Sequence, residues 1–183
     1  KFTDFNNIVN NNFTELDVKR ASSDTEKIDL IKDFEHNYIF IINGNFHTSN
    51  FDYEEKNKIK ITTYDKGFDY KITDNPLICL NHALAENGYS LEIDKNYKFN
   101  KVLVIYNFFT KNIKNKILNN KNKIKLNENA ELHVIEYTID ESNSKFINNI
   151  YEDIVLKKNS KFKNLFVQSN QSNGFFYKFV KNK

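Results

Sequence analysis

Leu91-Glu92-Ile93-Asp94-Lys95-Asn96-Tyr97-Lys98-Phe99-Asn100-Lys101-Val102 is the first of three related stretches. Ile124-Lys125-Leu126-Asn127-Glu128-Asn129-Ala130-Glu131-Leu132-His133-Val134-Ile135 is the second. Ile154-Val155-Leu156-Lys157-Lys158-Asn159-Ser160-Lys161-Phe162-Lys163-Asn164-Leu165 is the third. Each reads apolar-x-apolar-x-x-Asn-x-x-apolar-x-x-apolar, and the starts lie 33 and 30 residues apart. A repeat of that length marks a stacked architecture in which each unit buries its apolar face against the next. The two-residue alternation on either side of the Asn makes the unit a coil of β-strands, not a helix pair. Asn suits the corner because it tolerates the left-handed backbone region and bonds to its own backbone. The expected fold is therefore mainly β, a right-handed β-helix.

Working outward, strands are expected at 89–93, 101–108, 123–126, 131–139, 146–157, 161–168 and 174–180. Before them, Phe2, Phe5, Ile8, Val9 and Phe13 are spaced for a short amphipathic helix. Ser23-Asp24-Thr25-Glu26 has capping-box spacing for a second helix carrying Ile28, Leu30, Ile31 and Phe34, with a loop over 15–22 between the two. The run Tyr38–Ile42 closed by Asn43-Gly44 predicts a hairpin whose return strand begins at Phe46. Lys58–Thr62 alternates as a strand. Pro76 precedes a helix over 77–86, stopped by Asn87-Gly88 as its C-cap. Residues 1–88 thus read as a small α+β region and 89–183 as the opening coils of the β-helix. The last coil has no polar closing unit, and the chain has no Met, so it is expected to be a piece of a longer protein, truncated at its C-terminus.

Composition narrows the function classes. Hydrophobic residues make up 39% and aromatics 15%, enough for a core, while the charged 28% nearly cancels to +3. So small a net charge gives no argument for nucleic acid. The densest basic run, Lys111 to Lys125, reads as a solvated face whose lysines block edge pairing; a phosphate or RNA surface is the rival. One cysteine, Cys79, excludes an internal disulfide and points to a reducing compartment. No apolar stretch reaches membrane-spanning length and no signal peptide is visible, so the expectation is a cytoplasmic protein with no membrane partner. The weight of Asn, Lys, Ile, Phe and Tyr fits an AT-rich genome.

Four segments resemble the SufB/SufD family of iron–sulfur cluster assembly scaffold proteins, the SufD branch more closely. Lys1-Phe2-Thr3-Asp4-Phe5 is similar to the family's Trp-Lys-Tyr-Thr-Asp/Asn-Leu stretch. Tyr38–Phe46 is similar to its apolar-run-Asn-Gly-x-Phe hairpin. Leu80–Ile93 is similar to its Leu-Asn-x-Ala-x-x-x-x-Gly lead-in to the β-helix. Asn127–Tyr137 is similar to its Glu-Asn-Ala-x-x-x-Val-Ile-Glu coil. The four run in the family's order along essentially the whole chain. Asn87-Gly88 and Lys95-Asn96 stand where the SufB branch has a double Gly and a Pro. The resemblance implies a non-enzymatic scaffold that pairs with a SufB-like paralogue and works with a SufC-like ABC ATPase. The iron–sulfur cluster is then assembled transiently by the complex, with no cofactor bound by this fragment. The family's cluster-associated and ATPase-contacting residues lie in a half that has no counterpart here, so the resemblance assigns none to this chain.

Tested residue by residue, the chain offers no catalytic motif. His36, His47, His82 and His133 lack metal-ligand spacing, so no metal site is expected. His82 reads as a packing or surface residue, and His133, out of phase with Leu132 and Val134, as solvent-facing. Cys79 reads as a buried inert thiol, with a cluster or persulfide ligand as the sharper alternative. Glu136, Asp140, Glu141, Glu152 and Asp153 are the acids to test for a polysaccharide-cleaving site, and they read as a solvated face. Arg20, the one arginine, lies outside the coils. Two rivals remain: a β-helix carbohydrate-active protein or adhesin, and a structural solenoid that forms polymers. The exposed aromatic group Phe175, Phe176, Tyr177 and Phe179 leads to the expectation that the isolated piece aggregates.

Overall fold

The computed structural model describes residues 15–16, 30–64, 73–168 and 172–183. The strands are Glu15–Leu16 (β1), Asn37–Ile42 (β2), Asn45–Asn50 (β3), Ile59–Thr63 (β4), Asn87–Ile93 (β5), Leu103–Phe109 (β6), Lys116–Leu126 (β7), Glu131–Asp140 (β8), Phe146–Leu156 (β9), Lys161–Gln168 (β10) and Gly174–Asn182 (β11). Among the described residues one α-helix, Pro76–Leu84 (α1), lies between β4 and β5. From β5 onward the strands alternate between two sheets. One runs β11-β9-β7-β5-β4, with β1 paired to β7; the other runs β10-β8-β6-β2-β3. Successive coils pair in parallel, and among the described strands only β2–β3 and β4–β5 are antiparallel. The chain is a β-solenoid of about three turns.

The repeat sets the register. Leu91, Ile124 and Ile154 stack in one column, and Ile93, Leu126 and Leu156 in the next. Asn96, Asn129 and Asn159 all have positive φ, at 60°, 59° and 58°. Their side chains form a ladder along the stack: Asn129 Nδ2 donates to Asn96 Oδ1 at 2.7 Å, and Asn159 Nδ2 to Asn129 Oδ1 at 3.2 Å. Replacing Asn129 by Ala forces a Cβ-bearing residue with no compensating bond into that conformation, and about 1–2 kcal/mol of stability should be lost. Asn129→Gly keeps the backbone geometry and should cost less than half as much in urea unfolding. Equal losses for the two variants would show that the left-handed backbone is not what the corner demands.

Beyond the corner the first coil departs from the pattern. Val104, not Val102, is the register partner of Ile135, which in turn pairs with Leu165. Two extra residues lie between Phe99 and β6, and Glu54 holds them. Its buried carboxylate accepts from Asn37 Nδ2 and Tyr97 Oη, both at 2.7 Å, and from the backbone N–H groups of Asn100 and Lys101 at 3.0 Å.

The interior has two apolar ends. Leu91, Ile93, Leu103, Ile105, Ile124, Leu126, Leu132 and Val134 pack beside the Asn corner. Phe109, Ile113, Leu118 and Phe146 pack with Phe176 at the opposite corner. Ion pairs join successive coils: Lys125 reaches Glu92 at 2.6 Å, Lys161 reaches Glu131 at 3.9 Å and Lys183 reaches Asp153 at 3.1 Å. In each, the lysine belongs to the later coil.

Several sequence expectations change. The helix expected over 2–13 lies outside the described residues. Glu15 and Leu16, expected in a loop, form β1. Residues 30–36 are not helical; Leu30 and Ile31 instead pack on the outer face of the second sheet, where Ile31 N–H donates to Tyr106 Oη at 3.1 Å. Asn87-Gly88 does not cap α1, whose cap is the extended Ala85. Gly88 is inside β5 at φ 136°, where an added Cβ would stand 1.8 Å from Lys121 O, so the close approach of two strands requires glycine. The largest change is β7, which begins at Lys116 and not at 123.

Candidate functional site

Between its two apolar ends the solenoid interior is polar, and strand phase explains why. Glu136 shares the inward phase of Leu132 and Val134 on β8. Glu152 shares that of Ile154 on β9, and Lys178 that of Phe176 on β11. The three side chains meet inside the stack. Lys178 Nζ lies 2.5 Å from Glu136 Oε1 and 2.9 Å from Glu152 Oε2, while Asn164 Nδ2 also donates to Glu136. Glu152 is only 1% exposed and Glu136 4%. Two carboxyl groups thus share one ammonium out of water. Burial pushes the Glu152 carboxyl up; Lys178 opposes this and the neighbouring Glu136 adds to it. Burial alone would lower the Lys178 ammonium, but the pull of Glu152 and Glu136 outweighs it and its pKa is raised. Tyr89, fully buried on β5, is held far above the ordinary phenol range by burial and then by Glu152 and Glu136.

The solvated-face reading of the acids is therefore wrong for the members that matter. Glu136, Glu152 and Asp153 are buried; Glu141 is exposed. Asp140 is half-buried and closes the second corner, accepting from Ser172 Oγ and from the N–H groups of Ser142, Asn173 and Gly174. Burial alone would raise its carboxyl, but Ser142, Ser172 and the Gly174 N–H together outweigh it and hold the group below the usual range. The solvated-face reading also fails for part of the Lys111–Lys125 run. Lys121 is 1% exposed, with Tyr64 against its ammonium at 6.0 Å. Burial lowers its pKa.

Around Lys121 the outer face of the first sheet is covered by α1. Asn75 caps the helix by accepting from Leu77 N–H and Ile78 N–H, and its Nδ2 reaches Tyr177 Oη on β11. Asn81 Nδ2 donates to the carbonyls of Asn120 and Asn149, and Asn149 Nδ2 donates back to Leu77 O and to Asn119 Oδ1. His82 is half-buried against Tyr151, 4.8 Å between ring centroids, and burial followed by Lys121 and Lys181 lowers its pKa. Cys79, expected buried, is exposed on the helix, its Sγ donating to Thr73 O at 3.0 Å; the covered face of α1 is the one carrying Leu77, Ile78 and Asn81.

The remaining histidines do not converge. His133 faces solvent as expected, 3.2 Å from Glu131; His47 is exposed; His36 is buried, with Nε2 2.8 Å from Tyr106 Oη. Among the described residues no group of three His, Cys, Asp or Glu side chains could hold a metal ion. No helix among them is long and apolar enough to cross a membrane. Arg20 lies outside the described residues. No protein-family model matches the chain, and no curated protein matches it.

The arrangement has the chemistry of a linchpin. Its carboxylates point inward, where a bound polymer cannot reach them, and Lys178 ties β11 both to its neighbour β9 and across the interior to β8.

Proposed function

We propose that this chain is a SufD-like scaffold component of an iron–sulfur cluster assembly complex, acting without enzymatic chemistry of its own. On this reading it works in the cytoplasm through contacts with a SufB-like paralogue and a SufC-like ABC ATPase. The observation that carries the reading is the order of the resembling segments. Tyr38–Phe46 forms the β2–β3 turn, Leu80–Ile93 runs from the end of α1 into β5, and Asn127–Tyr137 spans the second Asn corner and most of β8. A hairpin, a short helix and then stacked coils is the sequence of elements the resemblance leads one to expect. The physical logic also fits, because a regular stack of strands offers a rigid lateral surface to a second protein. The nascent cluster is the cargo of the complex, and none of the residues described above is assigned to it. The inward position of Glu136 and Glu152 weighs against the carbohydrate-active alternative.

The test is affinity capture of the protein from its own cell extract, with mass spectrometry of what accompanies it. An ABC-type ATPase recovered together with a SufB-like paralogue is the expected result. Capture of neither, with glycan binding or homopolymers instead, would reduce the resemblance to shared solenoid geometry.

A further inference from the structure

Among the described residues the interior of the stack holds one more carboxyl group than ammonium. Glu136 and Glu152 face Lys178, and the other titratable group turned toward them is Tyr89. A second observation bears on the same place. Neither carboxyl oxygen of Glu152 has a hydrogen-bond partner, Oε2 meeting Lys178 as an ion pair at 2.9 Å, and Oδ1 of Asn122, 6% exposed, has none either. Asn122 and Glu152 are direct register partners on β7 and β9, pointing to the same side of the sheet. Neighbouring strands lie about 4.7–4.9 Å apart, which brings side chains so placed within reach of a hydrogen bond. Two buried acceptors without a donor cost the stack the desolvation of both. One proton removes both problems, since a carboxylic acid donates where a carboxylate only accepts.

We propose that Glu152 is carried in the folded protein as a neutral carboxylic acid at neutral pH, its O–H donated to Asn122 Oδ1. The interior then contains a balanced Glu136–Lys178 ion pair and an uncharged acid, and loss of the proton loosens β11 from β9. The device is a proton-operated latch between β11 and β9. Burial raises the affinity of Glu152 for its proton in the folded state above its ordinary value of 4.5, so folding takes up a proton. The sign follows: the contribution is complete below the ordinary value and declines as pH rises toward the folded one. Within that window the folding equilibrium constant falls by up to about tenfold per pH unit on this account alone.

The test uses the whole chain at several pH values. Infrared difference spectroscopy at pH 7 should show the carbonyl stretch of a protonated carboxyl group, and Glu152→Gln should abolish it. In urea unfolding between pH 5 and 8, the wild-type folding constant should fall relative to that of Glu152→Gln as pH rises. Amide exchange in β11 should accelerate over the same range in the wild type alone. A wild-type spectrum without that band at pH 7 overturns the proposal, as does an equal pH slope in the two proteins. Should Glu152→Gln fail to fold, the wild-type band decides by itself.

Discussion

Replacing Lys178 by methionine should cost the solenoid about 3–5 kcal/mol, the largest loss expected from any single change in its interior. Methionine matches the length of the lysine stem, so the change removes the charge and little of the packing. Glu136 is left buried without its cation, and Asn164 as its remaining donor does not offset the desolvation of a carboxylate. The damage should be local to one end: protection of β11 amides falls first, while β5 and β7 amides keep theirs. Part of the loss should return between pH 8 and pH 5, as Glu152, whose carboxyl is pushed up by burial, holds its proton and leaves one charge fewer out of water. Replacing Glu136, Glu152 and Lys178 together by uncharged residues of similar size should recover most of the stability. Urea unfolding at pH 5 and pH 8 checks all three statements. A Lys178→Met loss below about 1 kcal/mol would place the pair in the range of surface ion pairs and remove its role as a tie.

Glu54→Ala is expected to be nearly as damaging, by a different route. The carboxylate gathers the Asn37 amide, the Tyr97 hydroxyl and two consecutive backbone N–H groups. Each donor left unpaired and buried costs about 1–3 kcal/mol, and partial hydration at the rim should bring the total to about 3–4 kcal/mol. The two extra residues of the first coil would lose their anchor, so the Asn100 and Lys101 amides should exchange faster while those of β9 do not. Glu54→Gln, which keeps one acceptor and adds a misplaced donor, should fall between wild type and Ala. Unchanged exchange at Asn100 and Lys101 in the Ala variant would show that the corner holds itself.

These two residues mark the boundary of what could be read from the chain. The stack itself was legible, because Leu91, Ile124 and Ile154 recur with the same Asn five residues later and nothing but a common corner demands that. Pro76 announced α1, and Asn43-Gly44 announced the hairpin. The first half of β7 was not legible: Lys116-Ile117-Leu118-Asn119-Asn120-Lys121-Asn122 carries no apolar alternation and poor β-formers. It becomes a strand because β5 and β9 pair with it and α1 covers it, and neither fact is local. Glu54 could not be found at all, since its partners lie 17 to 47 residues away. Glu136, Glu152 and Lys178 are a different case. Each sits in phase with an inward apolar residue two positions away, and that phase was a usable signal, overruled by the general expectation that charges face water.

The ion pairs between coils also give the stack a direction. Lys125, Lys161, Lys178 and Lys183 each lie on a later coil and reach back to Glu92, Glu131, Glu136 and Asp153 on an earlier one. A coil already in place therefore works as a charged template for the lysine-bearing strand that follows it. Such a template has a polarity: in each of these four pairs the carboxylate stands on the earlier coil and the ammonium on the later one. In a protein whose coils are otherwise close copies of one another, this polarity is a safeguard against coils docking out of sequence.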